Sequence, residues 1–150
     1  MAYLLSISIG PVQDFIAAAR KTRDLWMGSQ MLCEVTRAAA KAVTLNGGEL
    51  IFPSPGSATS DKPIANKIVA VVKNGNPQDV SDKARDAAVN CLKDYKSNAE
   101  RNPSVSTLGI NLDLWNSQMD SFLEFYSAWW PMKEDLSDYA DARREVERLL

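Results

Sequence analysis

The chain predicts an α+β fold: a four-stranded antiparallel sheet with helices on one face and a further helix trailing at the C-terminus. Three observations predict it. Stretches of strand character and stretches of helical periodicity alternate in the order β-α-β-β-α-β. Glycine and proline turns punctuate them. Hydrophobic residues make up 45% and charged ones 24% of 150 residues, which suits one compact domain over residues 1–150 with a core of its own.

Tyr3 to Ile9 reads as the first strand, apolar at nearly every position apart from two serines, as a central strand would be. Gly10 stops it. Pro11 to about Leu45 reads as helical, with Pro11 suited to a first helical position, where its missing N–H costs nothing. Phe15, Ala19, Trp26, Cys33, Thr36, Ala40 and Val43 recur near helical spacing and mark a buried stripe, Trp26 among the core residues. Between Arg20 and Gly28 the pattern is irregular, and a kink or break is expected there. Asn46-Gly47-Gly48 ends the helix, with glycine free to take the left-handed conformation of a C-cap.

Glu49 to Phe52 is a short strand. Pro53 to Pro63 is a mobile loop rich in Pro, Ser and Gly. Asn66 to Lys73 is a strand built on IVAVV. Asn74-Gly75-Asn76-Pro77 turns the chain into a helix from Pro77 to about Ala99, whose apolar face is Val80, Ala84, Ala87, Ala88, Cys91, Leu92 and Tyr95. Ser104 to Gly109 is irregular and Asn111 to Met119 a short helix. Ser121 to Trp130 is a strand, with aromatic residues at even spacing and Pro131 as its stop. Asp135 to Leu150 is an amphipathic helix with Leu136, Tyr139, Val146 and Leu149 on one side. It ends without a capping glycine, as the front part of a longer chain would. This element order is the ferredoxin-like arrangement, which is also that of polymerase and cyclase palms.

Composition excludes several chemistries. Net charge is −2, from 17 basic and 19 acidic residues, which argues against a broad nucleic-acid-binding surface. There is no histidine, so a His-Asp nuclease centre and a histidine general base are both excluded. The two cysteines, Cys33 and Cys91, do not form a CxxC pair and read as small buried hydrophobes. No apolar run is long enough for a membrane span, and no basic segment precedes the N-terminal apolar run. The cytoplasm is the default location.

Chemistry is concentrated in Ser6 to Ser29. Strand, glycine turn and helix start come in that order, gathering unpaired N–H groups and the positive end of a helix dipole where an anion such as phosphate can sit. Asp14, in the first helical turn, suits the dipole but competes with such an anion. Taken alone, such a turn is most often a simple connection. Its full string is more specific: Ile9-Gly10-Pro11-Val12-Gln13, Phe15-Ile16, Ala19-Arg20-Lys21-Thr22-Arg23-Asp24-Leu25-Trp26 and Gly28-Ser29. It resembles the first palm-like domain of the large, CRISPR-polymerase subunit of type III effector complexes, particularly the III-B branch.

The resemblance implies two palms packed together. The second carries GGDD and makes cyclic oligoadenylates from ATP, with Mg or Mn, when target RNA binds. The first, corresponding to this chain, lacks the metal-holding acids and helps to form the nucleotide pocket. Its implied partners are the second palm, other CRISPR effector proteins and, indirectly, guide RNA and target RNA. A His-Asp nuclease domain often precedes the palm in that family; here the palm begins at Met1. The residues themselves agree with a domain that is not catalytic alone. The first strand carries Ser6 and Ser8 but no acid. Gly47-Gly48-Glu49 precedes the second strand and reads as a turn, and Asp61 stands without a Gly-Gly pair. Asp14 and Asp24, ten residues apart on a helix, would be about 15 Å apart along it, too far to share a metal.

By this resemblance Gly10, Gln13, Arg23 and Ser29 are nucleotide-binding candidates, and Lys21 is a cation for phosphate or for the partner palm. Trp129 and Trp130, adjacent on a strand, point to opposite faces, so one is an interface anchor unless the trailing helix covers it. Local roles compete with each. Gln13 can cap the helix, Arg23 can pair with Asp24 or Glu34, and Ser29 can merely allow close packing. Two other readings remain open: a purely structural subunit-contact module, and a free-standing ferredoxin-like domain that binds a regulatory ligand.

Overall fold

A computed structural model describes residues 1–150 with the exception of Phe15 and Ser106. Its sheet contains β1 (Ala2–Gly10), β2 (Gly48–Phe52), β3 (Lys67–Val72) and β4 (Glu124–Met132) in the order β2-β3-β1-β4. Every neighbouring pair is antiparallel. With α2 (Thr22–Leu45) after β1 and α4 (Pro77–Glu100) after β3, the order is that of a ferredoxin-like fold.

Register explains both faces. Tyr3, Leu5 and Ile7 of β1 stand beside Val72, Ala70 and Ile68 of β3 and beside Pro131, Trp129 and Ser127 of β4. Leu5, Ile7 and Ile9 meet Val35, Ala39 and Val43 of α2 and Val80, Ala84 and Ala88 of α4, forming the larger core. The alternate residues Ala2 and Leu4 meet Val71, Ala128 and Met132, and Ala142 and Val146 of α7 (Tyr139–Leu149) close over them. Being covered on both faces, β1 has no need of a polar side, hence its nearly unbroken apolar run.

The long N-terminal helix does break, into α1 (Gln13–Ala18) and α2. Lys21 caps the second piece: its N–H donates to the Asp24 carboxylate at 3.1 Å. Pro11 is not the first helical residue. It lies buried in the turn, and the first helical bond of α1 runs from Ile16 N–H to the Val12 carbonyl at 3.2 Å. Cys33, Thr36, Ala40 and Val43 of the expected stripe are buried. Trp26 is not a core residue, at 66% exposed. The reason is positional: the buried residues of α2 begin only at Gly28, so the first turn projects beyond the core. Phe15 of the same stripe lies outside the described residues.

Other boundaries shift for local reasons. The 53–63 loop contains a short helix, α3 (Pro55–Thr59), capped by the Ser54 hydroxyl and anchored by buried Ala58. Residues 104–109 likewise open with a single turn, α5 (Pro103–Ser106), capped by the Asn102 side chain. Beyond it lies α6 (Leu112–Asp120). Pro131 does not stop β4 but lies within it, because β4 has a neighbour on one side only and a missing donor is tolerated there. The trailing helix starts at Tyr139 instead of Asp135. Leu136 takes a left-handed φ of 60°, and the Asp138 carboxylate accepts from Lys133 N–H at 2.9 Å in the turn before the helix. Leu149, expected on the buried side, is exposed.

Candidate functional site

The carboxyl end of β1 is where predicted site residues gather. Gly10 is buried at its last position, and Gln13 and Asp14 open α1. They line a cavity of about 200 Å³ with Ser8, Asn66, Glu124 and Tyr126. An adjoining cavity of about 330 Å³ holds Ser29, with Leu25, Leu32, Ile64 and Ala65. Val12 and Asn66 belong to both walls. Asn66 stitches this end together. Its side-chain amide donates to the Ile9 carbonyl at 2.8 Å, and Ile9 N–H donates back to the Asn66 carbonyl at 2.9 Å.

The two lobes differ in chemistry. The smaller is polar and carries two carboxylates, Asp14 and Glu124. A Cβ on Gly10 would stand 2.8 Å from the Glu124 carboxylate, so this side chain lies directly over the turn. With only six residues in α1 behind it, the turn is poor ground for a bare phosphate. The larger lobe is mostly apolar, with the Ser29 hydroxyl at its rim. Ile16 and Leu25 line it while 52% and 42% exposed, and Trp26 and Met27, next in sequence to Leu25, are exposed as well.

Arg23 and Lys21 are not among the residues lining either lobe. The Arg23 guanidinium reaches solvent beside Asp24, at 3.7 Å, while Glu34 is engaged by Arg37 instead. Asp24 therefore serves the start of α2. The two tryptophans divide as their alternation requires. Trp129 packs against the larger core, and Trp130 stays 36% exposed on the opposite face, incompletely covered by α7.

Glu124, Tyr126 and Asn66 carried no signal of their own in the sequence. Glu124 meets Gly10 only through the β1–β4 register, in which these two residues are paired. Larger hollows exist, of about 470 Å³ beside α4 and α6 and about 590 Å³ between α4 and residues 105–116. They bring together none of the predicted residues. Burial pushes the Cys91 thiol up, helped by nearby Glu34 and Asp94. Burial also raises the Tyr95 phenol. Among the described residues no three His, Cys, Asp or Glu side chains come together.

A family comparison agrees with the sequence string: residues 4–101 match the model of the CRISPR-associated protein Cmr2, N-terminal. The chain belongs to the Cmr2 N-terminal family. It is thus a domain of the large subunit of type III CRISPR effector complexes. The Cmr2 match runs from β1 through the end of α4, and so takes in Gly10, Gln13, Arg23, Ser29 and Asn66. Glu124, Trp129 and Trp130 lie beyond the matched residues. Curated protein sequences returned no match. Among the described residues no helix is long and apolar enough to cross a membrane.

Proposed function

We propose that this chain is the non-catalytic palm-like domain of its subunit, acting in the cytoplasm in antiviral defence. In this reading it packs against a second, GGDD-bearing palm and supplies one wall of the ATP pocket for cyclic oligoadenylate synthesis. The supporting observation is the meeting of Gly10, Gln13, Ser29 and Asn66 at two adjoining cavities. Together the lobes are at the small end for a nucleotide, as expected of half a pocket. The apolar lobe suits a base, with Ser29 to hydrogen-bond its edge. Asp14 and Glu124 repel a triphosphate, so the phosphates and their Mg or Mn belong on the second palm's side. Other effector proteins, guide RNA and target RNA engage the subunit elsewhere.

The test uses the intact subunit in its assembled complex. Ser29→Phe fills the apolar lobe from an exposed position and spares folding; Gly10→Trp fills the polar lobe. Each is expected to lower cyclic oligoadenylate synthesis at least about tenfold, mainly through a raised KM for ATP. Complex assembly should be unchanged. Full synthesis by both variants would sink the nucleotide role.

A second reading, a purely structural contact module, draws on Ile16, Leu25, Trp26 and Met27, four large apolar side chains left in water within twelve residues. Loss of assembly in Trp26→Ser, with ATP binding retained, would favour it.

A further inference from the structure

The 60–66 segment forms one wall of the larger lobe, yet it belongs to a Pro-, Ser- and Gly-rich connection. Three ties hold it. At its near end the Arg37 guanidinium donates to the Lys62 carbonyl at 2.7 Å. In its middle the Cys33 thiol donates to the Ile64 carbonyl at 3.3 Å. At its far end Asn66 is bonded to Ile9 on β1. The last two are neutral. Arg37 contributes the charge-assisted one, which is the stronger kind.

Arg37 is also out of place by ordinary rules. It is 6% exposed on α2, where a lysine or arginine is rarely so buried without a purpose. Its other nitrogen meets the Glu34 carboxylate at 2.5 Å, and Glu34 in turn accepts from Gln30 at 3.1 Å. Among the described residues the Arg37 Nε has no hydrogen-bond partner. A polar chain of Gln30, Glu34 and Arg37 thus runs along α2 and ends on the backbone of the loop.

We propose that Arg37 is the positioning residue of the groove: braced by Glu34, it latches the 60–66 segment to α2 and so fixes Ile64, Ala65 and Asn66 as the wall facing Ser29. It touches no ligand. Its consequence for nucleotide rests on the reading proposed above, whereas the latch itself does not.

Two measurements on the intact subunit in its complex separate these. The first is amide hydrogen exchange of residues 62–66, with Leu5–Ile9 and Ala84–Ala88 as internal references. The second is the affinity for ATP. Arg37→Met leaves Glu34 at the protein surface, where water can solvate it. It is expected to speed exchange at 62–66 about tenfold, with the references unchanged, and to weaken ATP binding by a smaller, measurable factor, set by the loss of the ordered, binding-competent fraction. Arg37→Lys keeps the charge but not the two-pronged reach, and should restore part of both. Unchanged exchange at 62–66 in Arg37→Met would overturn the latch. Faster exchange with unchanged ATP affinity would uphold the latch and overturn its consequence for nucleotide, leaving the nucleotide reading to be decided by Ser29→Phe and Gly10→Trp. Should Arg37→Met fail to fold, Glu34→Gln decides by the same exchange measurement: faster exchange at 62–66 supports the brace, and no change refutes it.

Discussion

Gly10 and Gly48 are both buried glycines at strand ends, but a side chain would meet different things at each. At Gly48 a Cβ would collide with the Val43 side chain and press on the Val43 carbonyl oxygen at 3.0 Å, helix backbone that cannot swing away. At Gly10 it would meet the tip of Glu124, which can rotate. Gly48→Ala should therefore cost about 1–3 kcal/mol and Gly10→Ala under about 1 kcal/mol, read from urea denaturation. Equal costs would contradict this. The turn at 46–48 was readable in advance, because a glycine pair after a helix has a local meaning, and Gly47 indeed takes φ +89°. Glu124 over Gly10 was not readable. Its position depends on which β4 residue faces the end of β1, and a shift of even one residue in that register would send it to the other face.

Elements defined by their own periodicity came through well; those defined by what lies beside them did not. The stripe of α4 held from Val80 to Leu92, and Val80, Ala84 and Ala88 of it pack into the larger core. The stripe of α2 failed at Trp26, where helical spacing continues but the core does not. The start of α7 moved by four residues because side-chain-to-backbone hydrogen bonds from Lys133 and Ser137 N–H to Asp138 and Asp135, and a left-handed Leu136, compete with helix over 133–138. That segment also carries a pH response. Hydrogen bonding from Arg143, then the charge of Lys67, holds the Glu147 carboxyl below its usual range. The chain's N-terminal ammonium does the same for Glu134, and the Ser137 backbone N–H for Asp135. A carboxyl lowered in the folded state stabilises above its unfolded pKa, and that stability goes as pH falls through the folded value. Amides of α7 should therefore lose protection below about pH 4, while those of Leu5 to Ile7 keep theirs, as followed by exchange corrected for intrinsic rate. Simultaneous loss in both places would refute the prediction.

At the scale of the molecule, one strand serves two cores. Leu5 is wholly buried toward α2 and α4, and its neighbour Leu4 is 1% exposed toward α7. Because β1 belongs to both clusters, the domain should melt as one unit. Leu5→Ala and Leu4→Ala should each cost about 2–5 kcal/mol, with circular dichroism and tryptophan fluorescence reporting the same transition. Separate transitions would mean that the α7 side is an independent layer. The ferredoxin-like order itself was legible, since punctuation and periodicity sufficed to count its strands and helices. The groove was legible only in part: Gly10, Gln13 and Ser29 come from one continuous stretch, whereas Asn66 and Glu124 reach it by long-range pairing. Pro131 adds a last consequence. An open sheet invites copies of itself to dock rim to rim and grow into fibres. A residue with no hydrogen to give, set in the outermost strand, leaves a gap in any ladder begun from that side, so crowding many subunits together need not zip them into a ribbon there.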